Sequence, residues 1–434
     1  MHTSVWAQSH KTPEFKELKG DIKTDVLVIG GGIAGILCAF YLKKTGIDCI
    51  LVEGGRILSG VTKNTTAKIT SQHGIIYNKL INYFGLEKAK MYYEANRIAL
   101  EEYFNLCKNI DCDFEKKNLY TYSMDDTAVI EYEVDAANRV GCNASFEMPE
   151  ELPFKTMGAI KTENSAQFNP VKFLCEIAKE LNIYEHTFIT DIEGNTAIYK
   201  NGKIKAKNII VATHFPFINS HGSYFLKLYQ HRSYVCAYKN AQTLQNMYVD
   251  ESLKGLSFRT YKDMLLIGGS GHRTGKKTTA WNGINSFAQK NYKDCILTYQ
   301  WATQDCISLD GVPYIGHYSK HTPGLYVATG FNKWGMTSAM VSAKILVGML
   351  QSKAPDYSEV FSPERSILKP QLAVNSFEAT LGYAMPVKRR CPHLGCALKW
   401  NKHEHSWDCP CHGSRFEKDG KLINNPSIKN ADNL

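Results

Sequence analysis

The chain has 434 residues, of which 44% are hydrophobic and 21% are charged, and its net charge is +9. This length exceeds what one small core can organise and predicts two or three domains. The positive charge is spread along the chain without a dense Lys/Arg block or interleaved aromatic residues. The composition therefore argues against nucleic acid as a partner.

The thirteen cysteines do not form a disulfide framework, because nine of them are scattered outside the C-terminal tail without regular spacing. Such scatter in a long chain favours a reducing compartment. Residues 1–20 are polar and interrupted by Pro13, so no secretory signal is predicted. The apolar stretch from Val26 to Leu42 carries four glycines and is not a membrane span. We expect a cytoplasmic protein without a transmembrane segment.

The first predicted elements form a strand–turn–helix–strand unit over residues 22–53. A β-branched run from Thr24 ends at Gly30, and the turn continues as Gly30-Gly-Gly-Ile-Ala-Gly35. A helix from Ile36 to Lys44 and a strand over residues 48–52 follow, and Glu53 stands at the end of that strand. In this context the G-x-G-x-x-G pattern predicts dinucleotide binding.

Each residue of the pattern has a physical role in that prediction. Gly30 permits the tight turn, Gly32 lets the backbone approach a pyrophosphate, and Gly35 lets the helix pack on the strand. The helix N-terminus offers positive potential to the phosphates, and Glu53 is placed to bind a ribose hydroxyl. A glycine-rich turn without a ligand is the alternative, and FAD and NAD share the pattern.

The middle of the chain predicts a mixed structure. Residues 56–77 are rich in Thr, Lys and Gly, and Thr65 and Thr66 lie either on a flavin-contacting loop or on a polar surface loop. Residues 80–110 show apolar positions at helical spacing. Residues 112–155 and 220–300 alternate and carry many aromatics, which favours an antiparallel sheet.

Two late segments predict further parts of the nucleotide-binding fold. Residues 205–213 form a strand that ends at Ala212 and Thr213, beside the dinucleotide. Residues 324–338 form a strand, a glycine turn and the start of a helix that runs to about Leu350. That helix N-terminus would stabilise negative charge on a reduced flavin.

These segments, together with Asp310-Gly-Val-Pro-Tyr-Ile-Gly316, resemble the D-amino-acid-oxidase-like family of FAD oxidoreductases over residues 22–352. The resemblance implies an α/β Rossmann-like FAD domain (about 22–80, 156–215 and 301–352) with an inserted antiparallel-sheet substrate domain (about 81–155 and 216–300). The FAD is expected to be non-covalent, because Cys295 and Cys306 do not match the cysteine of family members with covalent flavin. The residues expected to contact FAD are Gly30, Gly32, Gly35, Glu53, Arg56, Thr65, Thr66, Ala212, Thr213, Asp310, Gly330, Phe331, Gly335, Met336 and Thr337.

A second nucleotide site is not predicted. The segment from Met264 to Gly275 is glycine-rich, but Thr274 stands where a third glycine is needed and no strand ending in an acid follows. A hairpin or loop of the substrate domain is the favoured interpretation. Electrons are then expected to enter from an organic substrate.

Substrate-contacting residues are predicted only as candidates. Arg232 or Arg259 could clamp a carboxylate, although a structural pair with an acid is the alternative for each. His73 is a possible base, and a hydrogen-bonded structural histidine is its alternative. Gln304 and Asp305 are polar candidates, because residues 301–310 resemble the family stretch before its flavin-proximal strand.

The C-terminal tail carries two short loops, Cys391-Pro-His393-Leu-Gly-Cys396 and Cys409-Pro-Cys411-His412-Gly-Ser414. Two Cys and two His in a C-x-H and C-x-x-H arrangement suit a [2Fe–2S] cluster with one iron on each ligand type. A tetrahedral zinc site uses the same ligand types. Zinc requires neither the extra cysteine in each loop nor the Gly-Ser that follows, so the pattern favours the cluster.

The loops resemble the Rieske family, with Cys391, His393, Cys409 and His412 as the metal ligands. The resemblance implies a disulfide between Cys396 and Cys411. We expect a linker at residues 353–369 and an abbreviated, small all-β Rieske unit at residues 370–434. Ser414 can donate to a bridging sulfide, whereas Phe416 stands where high-potential relatives have Tyr, so an intermediate reduction potential is predicted within roughly −150 to +300 mV.

FAD and a [2Fe–2S] cluster in one chain favour a dehydrogenase that oxidises a small amine, amino acid or hydroxy acid. Its electrons would pass from FAD through the cluster to an external one-electron acceptor protein or a quinone. An oxidase with a structural or redox-sensing cluster is one alternative. A non-enzymatic electron-transfer module is another. No convincing mononuclear iron motif supports a Rieske oxygenase.

Overall fold

The computed structural model describes residues 3–431. Its first sheet has five parallel strands in the order β17–β10–β1–β2–β7, with β16 antiparallel at one edge and the β8–β9 hairpin joined to β10. Because parallel strands covered by helices are buried on both faces, the second half of β1, Val26–Ile29, is continuously apolar and buried. The strands of this sheet are β1 (Ile22–Ile29), β2 (Cys49–Val52), β7 (Ile183–Tyr184), β8 (Ile189–Glu193), β9 (Thr196–Tyr199), β10 (Gly202–Val211), β16 (Tyr314–His317) and β17 (Leu325–Thr329).

Helices cover this sheet and extend its core. The short 3-10 helix at Val61–Asn64 adjoins the N-terminus of the second helix, where the Thr62 hydroxyl accepts a hydrogen bond from the Ile33 N–H at 3.0 Å. The helices are α1 (Val5–Ser9), α2 (Ile33–Lys44), α3 (Tyr77–Phe84), α4 (Leu86–Leu106), α5 (Thr127–Arg139), α6 (Pro170–Ala178), α7 (Tyr224–Lys227), α8 (Trp281–Asn291), α9 (Gly335–Leu350), α10 (Ser358–Phe361) and α11 (Pro370–Ala384). The helical prediction for residues 80–110 is thus confirmed.

A nine-stranded second sheet follows the order β15–β11–β14–β13–β12–β4–β6–β3, with β5 paired to β6. It is antiparallel except for the parallel pair of β12 and β4. Aromatic side chains fill its core, as the alternating sequence predicts. Its strands are β3 (Lys68–Ile69), β4 (Glu115–Ser123), β5 (Ala144–Glu147), β6 (Gly158–Gln167), β11 (Leu228–Lys239), β12 (Met247–Asp250), β13 (Ser257–Tyr261), β14 (Met264–Arg273) and β15 (Ile296–Ser308).

The boundary between the two predicted parts of residues 22–352 differs from the expected one. Strand β6 lies in the second sheet, although residues 156–215 were expected to belong to the FAD-binding part. Helix α4 was expected in the substrate domain, but its Tyr103 hydroxyl donates to the carbonyl of Met336 on α9 at 2.9 Å. The reason is that α4 buries its apolar face in the core of the first sheet.

The C-terminal unit contains an antiparallel sheet of β18 (Lys399–Asn401), β19 (Ser406–Asp408), β20 (Arg415–Phe416) and β21 (Leu422–Asn424). Its 15-residue helix α11 is an addition to the predicted all-β unit. Residues 353–369, expected to be a linker, are anchored, because Arg365 forms a two-pronged ion pair with buried Asp310 at 2.7 and 2.8 Å. Within residues 3–431, no helix is both long and apolar enough to cross a membrane.

Candidate active site and cluster centre

The glycine turn between β1 and α2 is closely packed at two of its three predicted positions. A Cβ on Gly30 would lie 2.6 Å from the carbonyl oxygen of Ala212, and a Cβ on Gly35 would lie 1.9 Å from that of Gly30. Gly30 also has a φ of +114°, which disfavours other residues. At Gly32 the nearest atom would be 3.4 Å away. The turn therefore leaves a cradle that a pyrophosphate would fit.

Glu53 lies at the end of β2 beside this cradle. Its carboxylate accepts hydrogen bonds from the N–H groups of Gly31 at 2.7 Å and Gly55 at 2.8 Å. Burial raises the pKa of this carboxyl. Arg56, expected to contact the cofactor, instead forms a salt bridge with buried Glu185 at 2.9 Å, so its guanidinium is already engaged.

A cavity of about 470 Å³ lies between the start of α9 and the second sheet. Its size falls within the range of small-molecule sites. The segment before α3 contributes Thr65, Thr66, Lys68 and His73 to its wall. The turn before α9 and the helix itself contribute Asn332, Lys333, Trp334 and Met336, and the sheet contributes Tyr229, Ser233, Val235, Thr303, Asp305 and Ile307 among others.

Two hydroxyl groups in the cavity wall have no partner within residues 3–431. Ser233 on β11 and Thr303 on β15 are opposite each other in the sheet, and the oxygen atom of each is buried without a hydrogen bond. A buried, unsatisfied hydroxyl costs free energy. This part of the wall is therefore suited to a polar ligand.

A cation and an acid also line the cavity. Burial raises the pKa of Asp305 to about 6 and lowers that of Lys333 to about 8, and each charge favours the ionised form of the other. Both groups are therefore charged near pH 7. Lys333 was not among the predicted site residues; it lies in the turn before α9 with a φ of +71°. Its position between the two glycines of that turn is the sequence feature that could have indicated it.

Both ring nitrogens of His73 are hydrogen-bonded, and its ring is stacked. Its Nδ1 lies 2.6 Å from the Tyr92 hydroxyl, and its Nε2 lies 3.0 Å from the Thr70 carbonyl and 2.9 Å from the Thr337 hydroxyl. The ring stacks on Trp334 with centroids 5.0 Å apart. Burial lowers the pKa of His73 to about 3, so the ring is neutral near pH 7. These contacts suit an anchor for the N-terminus of α9 rather than a base.

Arg232 and Gln304 do not meet the cavity, contrary to their selection as substrate candidates. Arg232 forms a buried ion pair with Glu404 of the C-terminal unit. The Gln304 amide donates to the carbonyl of Gly413 at 2.8 Å. Both side chains leave the sheet on the face opposite the cavity because strand residues alternate between faces.

Arg259 is also engaged elsewhere. Its guanidinium is fully buried and donates to the carbonyls of Thr66 at 2.6 Å and Ala67 at 3.0 Å. It lies over the ring of Trp6, 5.3 Å from the centroid. Arg259 therefore holds the loop that carries Thr65 and Thr66 and does not line the cavity itself.

Of the other residues predicted to contact FAD, some are engaged with other parts of the protein, and for the rest the contact stays a prediction. Asp310 is occupied by Arg365 and is buried, which leaves its carboxylate no free edge for a cofactor. The carbonyl of Thr213 accepts a hydrogen bond from Asn425 of the C-terminal unit at 2.6 Å. The contacts predicted for Gly330, Phe331, Gly335, Met336 and Thr337, which form the turn and first residues of α9, stay predictions, as does that for Ala212.

The four predicted metal ligands converge between the two C-terminal loops. The thiols of Cys391 and Cys409 are buried and hydrogen-bonded to each other. This hydrogen bond and the burial both raise the pKa of Cys391. The Nδ1 atoms of His393 and His412 lie 3.3 Å apart. Burial lowers the pKa of these two imidazoles to about 4 and about 3, and the neutral imidazole is the form that binds metal. This donor set fits a two-Cys, two-His cluster.

A disulfide joins Cys396 and Cys411 across the two loops. Helix α11 packs directly on it, since a Cβ on Gly382 would lie 2.6 and 2.7 Å from the two sulfur atoms. The Ser414 hydroxyl accepts a hydrogen bond from the N–H of Ser427 at 3.0 Å. The disulfide, the helix and the loop after β21 therefore enclose the ligand set.

The histidine edge of this unit faces the flavoprotein. The Nε2 of His393 lies 2.9 Å from the Asn219 Oδ1, and the ring of Phe215 packs against both imidazoles. The Gln230 amide donates to the carbonyl of His412 at 2.9 Å. The nucleotide-binding part and the second sheet thus both contact the cluster loops.

Comparison with known proteins agrees with both halves of this description. The FAD dependent oxidoreductase (DAO) family matches residues 25–349. The chain belongs to this family. A Rieske [2Fe-2S] domain matches residues 362–434. The protein is therefore a DAO-family FAD oxidoreductase whose cofactors are FAD and a [2Fe–2S] cluster.

The whole DAO–Rieske arrangement recurs in a protein of Bacillus subtilis (strain 168), YhfW, described as a Rieske 2Fe-2S iron-sulfur protein. It is 33% identical over 98% of this chain and 96% of its own length. A gamma-glutamylputrescine oxidoreductase of Escherichia coli is 25% identical over 49% of this chain and 54% of its own length. Of these two relatives, only the first matches both the FAD-binding and the C-terminal parts of the chain.

Solved structures share the DAO fold. L-proline dehydrogenase from P. horikoshii superimposes with a TM-score of 0.67 and 17% identity, over 80% of this chain and 98% of that one. Glycine oxidase from Geobacillus kaustophilus gives a TM-score of 0.68 and 17% identity, over 80% and 99%. At this level of identity the likeness establishes the fold alone.

Proposed function

We propose that this protein is a dehydrogenase that oxidises a small amine, amino acid or hydroxy acid and delivers electrons from FAD through the Rieske cluster to an external one-electron acceptor. When bound, FAD would take two electrons from the substrate, and the cluster would carry one electron at a time. The named activities of similar proteins, on proline, glycine and gamma-glutamylputrescine, support an amine or amino acid.

The observation that carries this proposal is the position of the cavity and the cluster loops on opposite faces of the same two strands. On β11, Ser233 and Val235 line the cavity, whereas Gln230 bonds to the His412 carbonyl. On β15, Asp305 lines the cavity, whereas Gln304 bonds to the Gly413 carbonyl. A single layer of sheet separates the two centres, which suits transfer between them.

The charges of the cavity support a zwitterionic or carboxylate substrate. The Lys333 ammonium would pair with a substrate carboxylate, because it is a half-buried cation at the cavity wall whose hydrogen bond is to the Leu253 carbonyl at 3.2 Å. Asp305 would accept a hydrogen bond from a substrate amine or hydroxyl, and its raised pKa of about 6 also allows it to hold a proton. Ser233 and Thr303 would orient the substrate through their unpartnered hydroxyls.

The cluster's enclosure supports entry of electrons through the histidine edge. His393 and His412 face Phe215 and Asn219, which follow the strand that ends beside the expected dinucleotide. Contacts from the flavoprotein cover this edge, so an outside partner has its access from another side of the Rieske unit.

Anaerobic mixing with a panel of amino and hydroxy acids tests the proposal. Flavin and cluster absorbance are followed together by stopped flow. The expected result is flavin bleaching by a subset of the panel, followed by cluster reduction without oxygen. Flavin bleaching with no cluster reduction, and peroxide formation in air, would favour an oxidase with a structural cluster. No bleaching by any member, with exchange of electrons between protein partners, would favour a transfer module.

A further inference from the structure

An exposed apolar surface lies on the Rieske unit, on the outer side of α11. Leu368 is 83% exposed and Phe377 is 63% exposed, and the neighbouring large side chains project in the same way. Within α11, Val374, Phe377 and Leu381 recur three and four residues apart, which places them on one side of the helix. The α11 surface is defined as these three helical residues together with the exposed apolar residues that flank the helix, Leu368, Met385 and Val387.

Contacts on the adjacent side of α11 fix this orientation. Asn375 accepts a hydrogen bond from Arg273 at 2.9 Å, and Gly382 packs on the disulfide. Glu378 forms a salt bridge with Lys276 at 2.6 Å. These three residues are also three and four positions apart, so the helix is anchored by one stripe and presents its apolar stripe outward.

The segment that carries this surface is strongly basic. Residues 366–402 contain six Lys or Arg residues and a single acid, Glu378, which is already paired with Lys276. Three of the cations follow directly after the apolar residues as Lys388-Arg389-Arg390. The guanidinium of Arg389 lies 4.3 Å from the ring centre of Trp407, and that ring contacts exposed Trp400. The guanidinium of Arg390 donates to the carbonyls of Tyr383 at 3.3 Å and Met385 at 2.8 Å, so this cation adjoins the C-terminal end of the α11 surface.

We propose that the α11 surface docks on an anionic phospholipid membrane, with α11 lying parallel to it. A single convex helix with protruding Phe and Leu side chains matches the boundary between head groups and acyl chains. The adjoining cations match the negative charge of the head groups, and Trp and Tyr are favoured at that depth.

The proposal goes beyond the redox function and does not depend on it. Docking would bring the disulfide side of the cluster unit towards the lipid while the histidine edge stays covered by Phe215 and Asn219. Membrane binding can therefore be measured with the resting holoprotein, whether or not any substrate reduces its flavin.

Co-sedimentation of the full-length holoprotein with vesicles tests this docking. We expect binding to phosphatidylcholine vesicles that also contain phosphatidylglycerol, and about tenfold weaker binding to phosphatidylcholine alone. Binding should weaken with added salt because the electrostatic part is screened. The double variant L368S/F377S should lose binding, and Lys388→Glu should reduce it, with the visible spectrum of the cluster unchanged in both.

The matched control is Tyr132→Ser, because Tyr132 is 65% exposed on α5, outside this surface. It should bind vesicles as the unmodified protein does. The proposal is overturned if the protein binds no vesicle, or if L368S/F377S binds like the control. It is also overturned if sedimentation velocity shows self-association that L368S/F377S abolishes while vesicles have no effect.

Discussion

Lys333 supplies the only cation of the turn between β17 and α9, and the backbone holds it in an unusual conformation. Both Asn332 and Lys333 have positive φ values, of 52° and 71°. Such values are uncommon outside glycine and often accompany functional sites. The turn thereby directs an ammonium into the cavity at the N-terminus of α9, where it adds to the positive end of the helix.

Replacing this cation tests the carboxylate site. Lys333→Met should raise the KM for a carboxylate substrate by roughly 10- to 100-fold, with a smaller change in kcat, because a charge-assisted hydrogen bond is lost from substrate binding. Substrate affinity of the unmodified protein should also fall as the pH rises above about 8, where Lys333 loses its proton. Lys320→Met, at an exposed position, is the control; an equal effect of both variants would exclude Lys333 from binding.

The cluster ligands were accessible to sequence reasoning and the substrate residues were not. Cys391, His393, Cys409 and His412 lie in two short loops whose spacing alone suggests the donor set. By contrast, the Arg232 partner lies 172 positions along the chain, on another domain. A local sequence pattern does not predict such a long-range contact. It also does not predict the positive φ of Lys333.

Helix α11 and the disulfide depend on each other at the scale of elements. The helix contributes Gly382 at the point of closest approach to Cys396 and Cys411. A residue with any side chain there would push the helix away from the loops. The sequence predicted the two loops but not this helix, because only tertiary packing reveals why a glycine stands in its last turn.

Gly382→Ala should therefore destabilise the Rieske unit. Overpacking a filled site typically costs about 1–3 kcal/mol. Thermal unfolding followed at the cluster absorbance should show a lower midpoint than in the unmodified protein, with the flavin transition less affected. Ala373→Ser, on the exposed side of the same helix, should leave both transitions in place. Equal midpoints for the two variants would contradict the packing role of Gly382.

At the scale of the whole molecule, buried charges join the Rieske unit to the second sheet. Glu404 accepts hydrogen bonds from Arg232 at 2.7 Å, Arg415 at 2.9 Å and the Tyr234 hydroxyl at 3.0 Å. Burial by itself would raise the pKa of Glu404, but the two guanidinium groups outweigh it and hold the pKa at about 2. The carboxylate is therefore ionised in the docked state at all ordinary pH values.

This depressed pKa makes docking sensitive to acid. The stabilisation is complete above about pH 4.3, the ordinary value for Glu in an unfolded chain, and is lost as the pH falls towards 2. Glu404→Gln should lower the free energy of unfolding at pH 7 by roughly 3 kcal/mol, and the difference should shrink by roughly half at pH 3. Urea unfolding measures both. Glu417→Gln, at an exposed site of the same unit, should have little effect at either pH.

Removal of a cluster ligand separates the two redox roles. Cys391→Ser should abolish the visible absorbance of the cluster but leave substrate-dependent bleaching of the flavin, because the cavity residues lie on the other face of the sheet. Delivery of electrons to a one-electron acceptor dye should be lost. If dye reduction continued at the unmodified rate, the cluster would not be the exit from the flavin.

The two-residue period of β11 and β15 has a consequence for how this protein can diversify. Odd-numbered positions such as Ser233 and Asp305 face the ligand, and even-numbered positions such as Gln230 and Gln304 hold the neighbouring domain. Tyr234 is an exception, because it lines the cavity and also donates to Glu404, but substitutions at Ser233 or Asp305 would not remove the hydrogen bonds that Gln230 and Gln304 make to the cluster loops. Evolution or protein engineering could therefore change the substrate specificity through the cavity residues while the contacts between the sheet and the cluster loops are kept.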